Sequence, residues 1–100
     1  MANVLDLGDM GQRSLQMLRK SIECLVNQDA KLARTVWQLD KEIDLFHKGN
    51  FEKLETHIKA QPNKAGVLLQ LLSVSRYIER IADLATNIAD PLKRIAAIHA

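Results

Sequence analysis

From Val67 to Ala89 the chain contains neither glycine nor proline, and nearly every helical register in that stretch carries an apolar residue. An uninterrupted run of this kind predicts a long helix, and a helix apolar on so many sides must be covered by other helices. The rest of the sequence agrees. There are four glycines and two prolines in 100 residues, aromatics make up 4%, and Val and Thr are few beside Leu, Ile, Ala, Lys, Gln and Glu. Strand formers and turn residues are both scarce, which leaves an all-α fold with few connections. One hundred residues with 47% hydrophobic and 26% charged side chains fit one folded domain over 1–100, and neither disorder nor membrane spanning.

Three helices follow from the punctuation. Leu15, Leu18, Ile22 and Leu25 recur at steps of 3, 4 and 3, predicting a helix from about Asp9 to Val26 with that stripe turned inward. Asn27-Gln28-Asp29 offers capping residues for a tight return. A second helix, Ala30 to about Ala60, places Leu32, Val36, Leu39, Ile43, Phe46, Leu54 and Ile58 on one arc; Gly49-Asn50 costs it about 1 kcal/mol of propensity and predicts a kink or break there. Gln61-Pro62-Asn63 halts that helix and starts a third over about 62–90, with Leu68, Leu71, Leu72, Ser75, Ile78, Ala82 and Ala85 inward. Leu69, Ile81, Leu84 and Ile88 fall elsewhere on the wheel, more apolar surface than three helices bury among themselves, so a second interface is expected. Asp90-Pro91 predicts a kink or an end, with 91–100 a short amphipathic tail. The expected architecture is an antiparallel, up-down-up three-helix bundle.

Composition also excludes functions. Fourteen basic against twelve acidic residues give a formal charge of +2, without the concentrated positive field that nucleic acid or an anionic bilayer selects. The longest apolar cluster, Val67 to Leu72, is far too short to cross a bilayer, so no direct membrane insertion is expected. A lone cysteine, Cys24, rules out an intramolecular disulfide and fits a cytoplasmic protein; with no basic cluster beside it, a redox role is not expected. There is no glycine-rich phosphate loop and no local signature of a nucleophile–base pair, so no enzyme activity is expected.

The residues that stand out are acids. A helical projection puts Asp40 and Asp44 at the edge of the second helix's apolar arc, and Glu79 and Asp83 in line with Leu68 and Leu72 on the third. Each i, i+4 pair sets two like charges about 5–6 Å apart at Cβ, which is unfavourable and worsens as the site dries. Two compensations are open: a hard or borderline cation such as iron, manganese or magnesium, or ion pairs from Lys41, Lys48, Arg76 and Arg80. Asp44-x-x-His47 has the carboxylate–histidine spacing of ferritin-like dimetal sites, in one copy. Its histidine reads first as a helix-surface or core-edge residue and only then as an accessory ligand, whereas His57 and His99 read as solvated. Asn87 and Asp90, one and two turns beyond Asp83, are candidates for further ligands, with a helix–helix hydrogen bond the other reading of Asn87. Trp37 reads as a packing anchor.

The segment Arg76-Tyr77-Ile78-Glu79-Arg80-Ile81-Ala82-Asp83-Leu84-Ala85-Thr86-Asn87-Ile88-Ala89-Asp90 resembles the signature of the PhoU family, regulators of high-affinity phosphate transport. Asp29, Ala33, Val36 and Asp40-Lys41-Glu42-Ile43-Asp44 are similar to that family's first acidic motif, and the resemblance runs from about Leu15 to Pro91. It implies a spectrin-like three-helix repeat, normally present twice per chain. It also implies that the E(D)-x-x-x-D motifs, here Asp40, Asp44, Glu79 and Asp83, line a multinuclear iron or zinc cluster, as in several members; His47, Asn87 and Asp90 would be accessory. The implied partners are the ATPase subunit of the phosphate transporter and a sensor histidine kinase. The sequence departs from the family in having one repeat and in placing Pro91 where the last helix usually continues. A homodimer would restore two repeats. Two other readings stand beside this one: a ferritin-like dimetal oxidase assembled across a dimer, with Asp44 and His47 as ligands, and a metal-free helical adaptor.

Overall fold

A computed structural model of the chain describes the backbone of residues 5–99 and the side chains of residues 5–92. Three helices, α1 (Leu7–Asn27), α2 (Ala30–Ala60) and α3 (Ala65–His99), run up, down and up, and among the described residues there is no strand. Their unequal lengths give a rod of 56 × 19 × 15 Å. The fold class expected from the sequence is the one observed.

Both turns work as their chemistry requires. Gln28 ends α1 in the left-handed region, φ 52°, and Asp29 N–H donates to the Cys24 carbonyl at 2.9 Å, which satisfies the last turn. The same Asp29 caps α2, its Oδ1 accepting from the N–H groups of Lys31 and Leu32. A 3₁₀ turn, Pro62–Lys64, precedes α3, which therefore starts at Ala65 rather than at residue 62.

One other boundary differs from expectation. The helix runs on through Pro91 to His99 instead of stopping near residue 90. Pro91 removes one backbone donor, but Ala89 and Leu92 on either side are buried in the main core, which favours continuing the helix past it. Beyond Leu92 the side chains of the expected tail, His99 included, lie outside the described residues. Gly49-Asn50 does not break α2, because Asn50 is fully buried and bonded on both ends of its amide.

The largest correction concerns α1. Its inward face is Met10, Ser14, Met17, Ser21 and Cys24, whereas Leu15, Ile22 and Leu25 of the expected stripe are 46%, 50% and 44% exposed. Both stripes have helical spacing, so periodicity alone does not choose between them. Close packing does. Opposite α1, helix α3 offers Ala82, Ala85 and Ala89, and small residues on both sides let backbones approach. The serines need no outside partner, since Ser14 and Ser21 donate to the carbonyls of Gly11 and Leu18 on their own helix.

A second small core, Leu54, Leu68 and Leu72 flanked by Ile58 and Leu71, lies where α2 and α3 pair beyond the start of α1. Asp6, just before α1, bonds Asn50, so the three-helix section begins at that level and α2 and α3 continue past it as a pair. On α3, Leu69, Val74, Tyr77 and Leu84 remain exposed, as the surplus of apolar residues led one to expect of Leu69 and Leu84; Ile81 and Ile88 are half-buried.

Candidate metal centre

The register of α2 against α3 is fixed by one buried serine. Ser75 Oγ lies 2.8 Å from His47 Nδ1 and accepts from Asn50 Nδ2 at 3.2 Å. Because the helices are antiparallel, one turn along from that contact sets Asp44 level with Glu79, and the next sets Asp40 level with Asp83. The four acids therefore form a two-rung ladder along one seam.

The charge of one is visibly disturbed by the rest. Asp40 is half-buried, and burial pushes its carboxyl up to about 6, with Asp44, Asp83 and Glu79 each adding to the rise by repulsion. Its Oδ1 is buried and has no hydrogen-bond partner. Glu79 is half-buried, and Asp44 and Asp83 are exposed.

No cation among the described residues forms an ion pair with these acids. Among the described residues the ion pairs are Arg13 with Asp9 and Glu42, and Lys53 with Asp6. Lys41, Lys48, Arg76 and Arg80 are exposed, and Arg80 stacks on Tyr77, 5.3 Å from the ring centroid. The four acids share a seam but do not close on one point: among the described residues no three His, Cys, Asp or Glu side chains stand together as a group that could hold an ion. Unneutralised carboxylates keep apart, and two of these face water.

The other candidates separate. His47 is half-buried and tied to Ser75, one turn beyond Asp44. Asn87 and Asp90 are exposed and are not among the groups that perturb Asp40, and His57 is exposed. Trp37 packs against the main core. Cys24 is fully buried, its Sγ donating to the Ser21 carbonyl; burial first, then Asp29 and Glu23, pushes its thiol up, away from a reactive thiolate. Periodicity had marked Ser75 as inward but not as the residue that sets the register, and Asn50 was missed. A serine inside an arc of leucines, level with a polar residue on the neighbouring helix, was the available signal.

The family profile described as "PhoU domain" matches residues 7–92. The chain belongs to the PhoU family. Similar curated proteins, each named "Phosphate-specific transport system accessory protein PhoU homolog", include one from Clostridium acetobutylicum, 29% identical over 87 residues, covering 87% of this chain and 40% of that protein. One from Caulobacter vibrioides is 32% identical, covering 81% and 35%. One from Pseudomonas aeruginosa is 29% identical, covering 86% and 36%. No solved structure matches. The chain thus spans well under half the length of these PhoU relatives, and the matched segment contains the whole acidic ladder together with His47, Asn50 and Ser75. No helix among the described residues is long and apolar enough to cross a membrane.

Proposed function

We propose that this PhoU chain is a metal-dependent accessory unit of phosphate-specific transport, restraining phosphate uptake or phosphate signalling by binding a partner rather than by catalysing a reaction. The observation that carries the metal part is Asp40: a half-buried carboxylate with an orphaned oxygen, three further acids bearing on it and no ion-pair partner among the described residues. Such a donor set fits a cation chemically. Asp40, Asp44, Glu79 and Asp83 would hold it, with multinuclear iron or zinc the first choice and manganese or magnesium behind. When bound, the metal supplies positive charge that neutralises the ladder and ties α2 to α3. The chain's own part is to present the acids from two rigid helices in fixed register, so that they answer as a unit.

The partners this reading implies are the ATPase subunit of the phosphate transporter, a sensor histidine kinase, or both, met in the cytoplasm. Leu69, Val74, Tyr77 and Leu84 on α3 offer apolar surface for a second copy of the chain, and a homodimer would bring two repeats together.

Metal analysis of protein purified without chelator tests the site. Bound iron or zinc in the wild type and its loss in Asp83→Ala are expected; no metal in either sample would leave a metal-free adaptor. Light scattering of the intact chain tests the dimer, with a monomer at micromolar concentration as the contrary result.

A further inference from the structure

Helices α1 and α3 run parallel and side by side, and each leaves one apolar stripe outside the core. The contacts around them fix where those stripes lie. On α1 one flank of the buried line faces α2, because Arg13 pairs with Glu42 and stacks on Phe46, 5.4 Å from the ring centroid. The other flank faces α3, since a Cβ on Gly11 would stand 3.9 Å from Ile78 Cδ1. Leu15, Leu18 and Ile22 continue the Gly11 flank at i+4, i+7 and i+11, and therefore lie away from α2. On α3 the arrangement is mirrored: Glu79 and Asp83, which bear on Asp40, mark the flank towards α2, and Ile81, Leu84 and Ile88 occupy the flank towards α1. Met10 Sδ and Ser75 Oγ, 3.5 Å apart, set the level of the two helices, which puts Leu15, Leu18 and Ile22 beside Ile81, Leu84 and Ile88. Ala82, Ala85 and Ala89 let the helices approach, so the two stripes merge into one apolar seam. Leu15, Ile22 and Leu84 are exposed in it and the other three are half-buried.

With exposed Tyr77 at one end and Leu25 at the other, the seam runs for about three helical turns. A groove of that length between two helices, on the side away from the third, is the place of a fourth helix in a bundle. The charges at its edges select that helix. The next residues outward are Gln12, Arg19 and Val26 on α1 and Ser73, Arg80 and Asn87 on α3, with Arg80 held against Tyr77 at 5.3 Å. Both rim charges are arginines. The nearest acid on α1, Glu23, stands farther round the helix, and the acids of α3 are on its opposite flank. A second copy docked face to face would bring two more arginines to these edges without bringing an acid closer. We infer that the seam receives an amphipathic α-helix of a partner protein, whose apolar stripe covers Leu15, Ile22 and Leu84 and whose flanking Asp and Glu residues pair with Arg19 and Arg80. The inference rests on the reading of the chain as a partner-binding unit and names the surface and the partner's chemistry; the acidic ladder takes no part in it.

Fluorescence anisotropy with the whole chain and labelled synthetic helices tests this. One peptide carries leucines at i, i+3 and i+4 spacing flanked by Glu, a second has Lys for each Glu, and a third has the order of the first scrambled. The Glu peptide should bind, and the Lys peptide about tenfold more weakly or worse. Ile22→Ser and Leu84→Ser should each weaken the Glu peptide about tenfold or more, whereas Leu45→Ser, exposed on α2, should change nothing. Thermal melts of these surface variants should match the wild type. Arg19→Glu combined with Arg80→Glu should reverse the preference to the Lys peptide, a result that loss of folding does not produce. Equal binding of the Glu and Lys peptides, or of the scrambled one, overturns the inference. So does light scattering that shows a dimer dissociated by Leu84→Ser and closed to the peptide, which gives the seam to a second copy. If no peptide binds while the isolated ATPase subunit of the phosphate transporter binds wild type and Leu84→Ser alike, the seam falls and the partner-binding reading stands. If neither binds, both fall.

Discussion

The α2–α3 seam carries two polar clusters a turn apart, and the chain treats them oppositely. In the closed one, Asn50 accepts from Asp6 N–H through Oδ1 at 2.9 Å and donates from Nδ2 to Ser75 and, at 3.7 Å, to Met10 Sδ, with Asn50, Ser75 and Met10 all buried. In the open one, four carboxylates face each other's charge and Asp40 keeps an unbonded buried oxygen. A buried polar group is stable when its partners come from the same chain; like charges without such partners raise the energy of the fold and fit an outside ligand. Substitution in the closed cluster should therefore lose stability, and substitution in the open one should gain it.

Asn50→Ala is the severest test of the closed side. It removes a fully buried side chain and leaves the Asp6 N–H without its acceptor, so a loss of about 3 kcal/mol is expected in urea unfolding. Ser75→Ala should cost about 1–2 kcal/mol, because the cavity is small but Asn50 Nδ2 and His47 lose a partner. If either change were neutral, the two clusters would not differ in kind.

On the open side, Asp40→Asn keeps the shape and removes one charge, and the apo protein should gain about 1 kcal/mol at pH 7, an amount kept small by the partial exposure of the carboxylate. The pH dependence gives a second reading. The folded carboxyl titrates at about 6, above the roughly 3.9 of an unfolded Asp, so between those values the folded state holds more protons than the unfolded one. This group's contribution is most favourable below about pH 4, declines as the pH rises through 6, and is level above. Unfolding curves of wild type and Asp40→Asn, compared at pH 4 to 7.5, should converge at the acid end and separate at the neutral end. Curves that stay parallel would mean that the ladder is already neutralised.

The open cluster was legible in the sequence and the closed one was not, for a physical reason. Asp40, Asp44, Glu79 and Asp83 stand at i, i+4 beside apolar residues, so a single helix projection reveals them. Asn50, Ser75 and Met10 meet only when three helices are in register, and local pattern does not carry that information. The face of α1 fails the same way. Hydrophobic weight favours Leu15, Ile22 and Leu25, but the core selects Met17, Ser21 and Cys24, because facing Ala82, Ala85 and Ala89 rewards close approach. Helix starts and stops that depend on nearby residues were read well, as with Asp29 at the head of α2. The end expected at Pro91 is absent because what carries α3 past it is the burial of Leu92, a tertiary fact.

The smallest expected effect sharpens the comparison by holding the residue constant. Asp6 is fastened twice, through its backbone N–H to buried Asn50 at 2.9 Å and through its carboxylate to Lys53 Nζ at 2.6 Å. The ion pair is the shorter contact, but its side chains are 46% and 50% exposed, so water and salt compete for both ends. Lys53→Ala should cost below about 0.5 kcal/mol, a difference that fades in 0.5 M NaCl, while the cost of Asn50→Ala should be almost independent of salt. If the lysine change proved as costly as the asparagine change, charge rather than burial would be what fastens the start of α1, and the closed cluster would lose its claim to be the stabilising half of the seam.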